Sequence, residues 1–180
     1  MTREQLEHVI RAAADIADDE EIVVVGSQAI LGQFPTAPGE LLMSNEADVY
    51  PKNKPERAEL IDGSIGEGSP FHDTFGYYAQ GVGPETSVLP PGWQDRLQRI
   101  QNANTRGTIG WCLEVHDLVL AKCVAGREKD WRFLAGAARA KLVAEATLLD
   151  RLASLPVVEA VREDIRAHVV AAFRRTPASP

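Results

Sequence analysis

The chain has 180 residues, of which 44% are hydrophobic and 25% are charged, and its formal net charge is −7. This length and composition fit one globular domain, or one domain with a helical annex. They exclude a membrane-spanning protein, because no apolar run is long enough, and an acidic chain argues against non-specific binding to long nucleic acid. A charged N-terminus without an apolar stretch and two cysteines in apolar surroundings predict a reduced, cytoplasmic protein.

Hydrophobic periodicity and turn residues predict an α+β fold, with a small mixed β-sheet, flanking helices and a helical C-terminal region. In the first third of the chain we predict a helix at 2–17 opened by a capping box, a strand at 22–25, a helix beginning at 28–31, a loop at 33–43 and a strand at 46–50. An irregular stretch follows at 51–75, with one short helix near 55–60. We then predict strands at 77–82, 86–89 (as a continuation or hairpin partner) and 108–113, and helices at 116–125, 131–152 and 157–173.

Two carboxylates lie two residues apart in the strand predicted at 46–50. Side chains at i and i+2 share one face of a strand, so Glu46 and Asp48 point the same way. Like charges side by side repel unless a cation lies between them, and Mg²⁺ usually takes one or two carboxylates together with substrate phosphates. Such a pair is more often a solvated strand edge, and that interpretation stays open at this point.

Two further segments have anion-binding chemistry. Gly26 and Ser27 follow a buried strand and precede a helix, which suits close backbone approach and free N–H groups for a phosphate. The segment AKCVAGREKD carries Lys122, Arg127 and Lys129, and residues 96–141 hold 9 Lys and Arg against 4 Asp and Glu. Each feature alone is more often an ordinary turn or a charged surface, but their order predicts a phosphoryl-transfer site.

The motifs VVVGSQAI and NEADVY resemble the hG[GS] turn and the [DE]-h-[DE]-h strand of the polymerase-β-type nucleotidyltransferase superfamily. The later block HDLVLAKCVAGREKDWRFL resembles the third and fourth motifs of the AbiEii/MenT-like branch, which includes toxins. The resemblance covers about residues 20–135. It implies a nucleotidyltransferase-like core at 1–135 and a helical region at 136–175 packed on it as one structural unit, and we expect the tail at 176–180 to be disordered.

The resemblance also implies an activity, which is transfer of a nucleoside monophosphate from an NTP to an RNA (tRNA) or protein acceptor. The chain would then be the toxin of a toxin–antitoxin pair, with an antitoxin protein as partner. By this resemblance Gly26, Ser27, Lys122 and Arg127 bind the nucleotide, Glu46 and Asp48 bind Mg²⁺ or Mn²⁺, and the catalytic residues are Glu46, Asp48, Lys122 and Asp130. For Asp130 three roles stay open: binding metal, orienting the lysine or activating the acceptor.

Two departures from the pattern support an alternative function. The first carboxylate is Glu46 where Asp is commoner, and the strand predicted at 77–82 lacks the third carboxylate of many relatives. The site would then bind one metal or be weak, and the chain would be a catalytically weak or inactive relative that binds a nucleotide or a partner protein. Side-chain alternation leaves one of Tyr77 and Tyr78 to stack on a base and turns the other to the core.

Overall fold

The computed structural model describes residues 1–174 and has an α+β fold, which confirms the predicted class. One five-stranded mixed sheet has the order β3-β2-β1-β5-β4. The strands are β1 (Glu21–Val24), β2 (Glu46–Pro51), β3 (Tyr78–Gly81), β4 (Gln98–Ile100) and β5 (Ile109–Cys112). Strand β1 is parallel to β5 and antiparallel to β2, whereas β2 is parallel to β3 and β4 is antiparallel to β5.

The helices are α1 (Arg3–Ala17), α2 (Ile30–Gln33), α3 (Ala58–Ile65), α4 (Pro70–Phe75), α5 (Val115–Ala125), α6 (Glu128–Arg139), α7 (Glu145–Ala153) and α8 (Glu159–Arg174). None of the helices within residues 1–174 is long and apolar enough to cross a membrane. Contacts divide the chain into two compact units. The first comprises Met1–Ser87 and Arg96–Glu114, and the second comprises Val88–Asp95 and the chain from Val115 onward. The predicted division into 1–135 and 136–175 stays a prediction, and the tail at 176–180 lies outside the described residues.

The core of the first unit forms between α1 and the sheet. The predicted capping box opens α1, since Gln5 N donates to Thr2 Oγ1 at 3.2 Å and Thr2 N donates to Gln5 Oε1 at 2.7 Å. The apolar stripe of α1 is buried against β5, where an added Cβ at Gly110 would lie 2.5 Å from Ile10 Cδ1. This close contact keeps one side of the sheet covered by apolar side chains.

The second unit contains α5 to α8. Its buried apolar residues are Leu118, Leu120, Leu134, Leu148, Leu152, Ile165 and Val169, among others. Asp117 of α5 is fully buried and pairs with Arg151, whose Nη1 lies 2.8 Å from its Oδ1. This pair therefore joins α5 to α7.

Several predicted elements were wrong. The segment 51–75 is largely helical, because α3 and α4 both form there, and 86–89 is not a strand. Strand β4 was missed, since three residues give too short a pattern for periodicity. The helix predicted at 131–152 is two helices, separated where Lys141 takes a left-handed conformation with φ of 57°. The hydrogen bond from Leu142 N to Ala137 O (3.0 Å) closes the end of α6 there.

Candidate active site

The two predicted metal ligands lie on one face of β2, between β1 and β3. Glu46 pairs in register with Tyr78 of β3, and Asp48 pairs with Gln80. Partners in parallel strands point to the same face, so all four side chains lie together. Glu46 and Asp48 are both partly buried. The acidic face is therefore a two-strand surface that carries two carboxylates, one phenol and one amide.

Gly26 lies directly against Asp48. Strand β1 ends beside β2, where Val25 N donates to Asp48 O at 3.0 Å. An added Cβ at Gly26 would lie 1.5 Å from Asp48 Oδ2, a distance that no side chain can occupy. The φ of Gly26 is −77°, which any residue can adopt, so it is the close approach of Asp48 that requires glycine. The turn and the carboxylate pair, identified separately in the sequence, are thus in contact.

The helix predicted after this turn is short. A 3-10 turn at Ser27–Ala29 leads into the four-residue helix α2, so this helix start offers few free N–H groups for binding an anion. Ser27 is half-buried, whereas Gln28 is fully buried and its Nε2 donates to Ser44 O at 2.8 Å. The Oε1 atom of Gln28 has no hydrogen-bond partner within the described part of the chain. Gln28 therefore anchors the turn to the segment that enters β2.

Tyr78 contacts the carboxylate pair, and sequence reasoning missed this contact. Its hydroxyl donates to Glu46 Oε2 at 3.1 Å, and the His72 ring of α4 lies 4.6 Å from the Tyr78 ring, centroid to centroid. Burial, followed by the hydrogen bond and charge of Glu46, raises the pKa of Tyr78 to about 12. Tyr77 is the core-facing residue of the two, as alternation predicted for one of them. The pairing of residues 46 and 78 has no local sequence signal.

The predicted cationic residues form a cluster in the second unit around Asp130. The Oδ1 atom of Asp130 accepts from Lys122 Nζ at 3.2 Å, and Oδ2 accepts from Arg127 Nε at 2.8 Å and from Arg127 N at 3.2 Å. Asp130 is fully buried, while 59% of the Arg127 side chain and 13% of the Lys122 side chain are exposed. Lys129 is exposed on α6.

The spacing of Arg127 and Asp130 has a local structural cause. Gly126, with φ of 64°, turns the chain from α5 into α6, and Arg127 is the N-cap of α6. Asp130 stands three residues later, where its carboxylate can accept the free N–H of the cap residue. A negative charge in the first turn of a helix is also favourable to the helix dipole. Arg127 and Asp130 of the R-x-K-D pattern therefore cap the start of α6 and also belong to the charged cluster.

The charges of this cluster shift both of its buried groups. Burial tends to raise the pKa of Asp130, but hydrogen bonds from Arg127 and the charge of Lys122 outweigh it, so that the pKa is lowered. Burial lowers the pKa of the Lys122 ammonium against the opposing effect of Asp130, and the charges of Arg127 and Lys129 add to this lowering. The pKa values of the two groups are both lowered, because Asp130 accepts hydrogen bonds from two cations whereas Lys122 is buried and has Arg127 and Lys129 as like-charged neighbours.

The acidic face supplies a small donor set for a metal. Within residues 1–174, no group of three or more His, Cys, Asp or Glu side chains is arranged to hold a metal ion. Glu46 and Asp48 are therefore two candidate ligands, and no third such side chain is arranged with them in the described part of the chain. Mg²⁺ is often held by one or two carboxylates, with water and substrate phosphates completing the octahedron, so this pair fits an ion shared with a nucleotide.

A comparison with known protein families gave a match over most of the chain. A family model described as a nucleotidyltransferase of unknown function (DUF6036) matches residues 4–175. No curated protein and no solved structure matches the chain. The matched segment includes the turn at Gly26, the acidic face and the cluster around Asp130.

Proposed function

The chain belongs to the DUF6036 family of nucleotidyltransferases, and from this premise we propose that it is an Mg²⁺-dependent enzyme. It transfers a nucleoside monophosphate from an NTP to an acceptor, either an RNA such as tRNA or a protein. The observation that carries the proposal is the contact between Gly26 and Asp48, where a Cβ would lie 1.5 Å from the carboxylate. A surface carboxylate has no need of a glycine turn packed against it, whereas a metal–nucleotide site needs both.

In this proposal Glu46 and Asp48 hold Mg²⁺, or Mn²⁺, through their carboxylate oxygens. A bound divalent cation supplies charge neutralisation at the α-phosphate and lowers the pKa of an attacking hydroxyl. Gly26 lets the backbone approach the triphosphate closely, and the Ser27 hydroxyl donates to it. The acceptor oxygen forms a bond to the α-phosphorus, its proton passes to solvent, and the bond to the pyrophosphate oxygen breaks.

We assign Lys122 and Arg127 to the negative charge of the triphosphate and of the leaving pyrophosphate. The Arg127 side chain is 59% exposed although its guanidinium donates to Asp130, and a guanidinium suits the binding of phosphate oxygens. Of the three roles open for Asp130, we favour positioning of the two cations, because its carboxylate is fully buried and accepts from both. A carboxylate so occupied is a poor metal ligand and a poor general base.

The finer assignment is to the AbiEii/MenT-like branch, as the toxin of a toxin–antitoxin pair with an antitoxin protein as partner. The support is the order of the four motifs and the lysine, arginine and aspartate of the block 116–134. A basic segment suits an RNA acceptor, although it suits a triphosphate equally well.

A second candidate function is a relative that binds a nucleotide or a partner protein without catalysis. The observation that favours it is the face of β3 beside the carboxylate pair, which presents Tyr78 and Gln80 where a third carboxylate would complete a two-metal site. A single metal held by two ligands suffices for nucleotide binding.

A labelling experiment separates the two functions. The chain is incubated with each α-³²P-labelled NTP, Mg²⁺, total RNA and a cell protein extract, in parallel with Asp48→Ala and the control Asp15→Ala. Asp15 is an exposed carboxylate of α1, so its loss leaves the acidic face intact. The enzyme hypothesis predicts Mg²⁺-dependent labelling that Asp48→Ala abolishes and Asp15→Ala keeps. Nucleotide binding without labelling of any acceptor favours the second function, and equal labelling by Asp48→Ala contradicts the metal assignment.

A further inference from the structure

The hydrogen bond between Tyr78 and Glu46 points to a residue that prepares the metal site. Resting on the proposed function, we propose that Tyr78 is a positioning residue, which holds Glu46 Oε2 and leaves Oε1 for the divalent cation. The hydroxyl lies 3.1 Å from Oε2. Oε1 takes no hydrogen bond from any residue within 1–174. One oxygen of the carboxylate is thus held by the protein and the other is available as a ligand.

The register of the two strands determines this contact. Glu46 and Tyr78 are register partners on the parallel strands β2 and β3, so both side chains leave the sheet on the same face at the same level. A tyrosine on the neighbouring strand is long enough to place its hydroxyl beside the end of a glutamate. Tyr77 and Gln80 cannot replace it, because Tyr77 points to the other face and Gln80 lies beside Asp48.

The direction of the hydrogen bond is fixed by the chemistry of both groups. An ionised carboxylate can only accept, so the phenol must donate. A phenol ordinarily loses its proton only near pH 10, so it is a donor at neutral pH. The interaction therefore persists whenever the carboxylate is able to bind a metal.

A glutamate needs such a partner more than an aspartate does. Its side chain has an additional rotatable bond, and fixing that bond on metal binding costs conformational entropy. A hydrogen bond formed before the metal arrives reduces this cost, which is the usual benefit of preorganisation. Asp48 has one fewer rotatable bond and lies against Gly26, so the packing of the turn already limits its freedom.

His72 supports the phenol in turn. The Ser69 hydroxyl caps α4 by accepting from His72 N at 3.2 Å, and Gly68 N donates to His72 Nδ1 at 3.0 Å. His72 is therefore held through both its backbone and its ring, and the ring centroid lies 4.6 Å from that of Tyr78. The Tyr78 ring therefore has a fixed neighbour in His72, and its hydroxyl is held by Glu46.

The test removes one oxygen atom and compares two adjacent tyrosines. Tyr78→Phe deletes the hydroxyl that reaches Glu46 and keeps the ring beside His72. Tyr77→Phe is the matched control, because the Tyr77 hydroxyl bonds His8 Nδ1 at 2.8 Å instead. The affinity for Mn²⁺ is measured by electron paramagnetic resonance with the full chain, alone and with each of the four α,β-methylene NTPs. The same two variants are made in a Glu46→Gln background, and thermal unfolding is recorded for all.

We expect Tyr78→Phe to weaken Mn²⁺ binding about fivefold, the effect of one hydrogen bond to a ligand, and Tyr77→Phe to leave it unchanged. In the Glu46→Gln background Tyr78→Phe should not weaken Mn²⁺ binding further, because the hydroxyl acts through Glu46. A merely structural role of the hydroxyl would weaken Mn²⁺ binding in both backgrounds. Unchanged Mn²⁺ affinity in Tyr78→Phe, or the same loss in Tyr77→Phe, overturns the positioning role while leaving the proposed function standing. Absence of Mn²⁺ binding by the wild type overturns both.

Discussion

Asp48 Oδ2 lies where a side chain at residue 26 would have to be. Gly26 lies in the turn that follows β1 and Asp48 lies in β2, and the two approach so closely that an added Cβ would be 1.5 Å from the carboxylate oxygen. The position of Asp48 therefore depends on the absence of a side chain 22 residues earlier in the sequence.

Gly26→Ala should displace the Asp48 carboxylate, because the methyl group and Oδ2 cannot occupy the same space. We expect a loss of about 1–3 kcal/mol in the free energy of unfolding and at least tenfold weaker Mg²⁺–NTP binding. Gly63→Ala is the control, since its Cβ meets nothing within 4 Å on the exposed side of α3. That variant should gain about 0.5–1 kcal/mol. Calorimetry and urea unfolding measure both effects, and an unchanged NTP affinity in Gly26→Ala would contradict the argument.

Asp130→Ala should destabilise the second unit strongly. It leaves the Lys122 ammonium, 13% exposed, without its carboxylate, and removing one member of a buried pair typically costs about 3–5 kcal/mol. Glu128→Ala, on the same helix, breaks the exposed pair with Arg132 and should cost less than about 0.5 kcal/mol. Urea unfolding followed by circular dichroism measures the two changes. Equal losses in the free energy of unfolding would show that Asp130 stabilises the chain no more than an exposed surface pair does.

The lowered pKa of Asp130 predicts acid sensitivity. A carboxyl whose pKa is lower in the folded state contributes stability that is fully present above its unfolded pKa, ordinarily 3.8, and lost as the pH falls through its folded value. The free energy of unfolding of the wild type should therefore fall below pH 4. Asp130→Asn removes this titration and should flatten the pH dependence in that range. A variant as steep as the wild type would contradict the assigned shift.

The sequence predicted the elements whose signals are local. The Thr2–Gln5 capping box marked the start of α1, and the i, i+2 spacing placed Glu46 and Asp48 on one face of β2. Lys141 carries no such signal, because a lysine in a left-handed conformation looks like any helical lysine, and so the helix at 131–152 was predicted unbroken. Interactions that depend on strand pairing were equally hidden, since nothing in residues 46 or 78 indicates that β2 and β3 meet in that register.

The three tyrosines provide a spectroscopic test of burial in the first unit. Burial raises the pKa of Tyr50 to about 12, and burial with Glu46 raises that of Tyr78 to about 12, while the pKa of Tyr77 is also raised by burial. A tyrosine with an ordinary pKa near 10 is largely ionised at pH 11. Up to pH 11, while circular dichroism still shows the fold, the absorbance at 295 nm should therefore rise by no more than about the share of one tyrosine, and it should rise fully in urea. Complete ionisation of the folded chain near pH 10 would contradict this environment.

The measurement that tests the central claim most directly is calorimetric binding of the four NTPs, with and without Mg²⁺, to the wild type, Asp48→Ala and Asp15→Ala. We predict that at least one NTP binds only with Mg²⁺, that Asp48→Ala lowers its affinity at least tenfold, and that Asp15→Ala leaves it unchanged. Binding that needs neither Mg²⁺ nor Asp48, or no NTP binding under any condition, would contradict the assignment of Glu46 and Asp48 to a metal–nucleotide site.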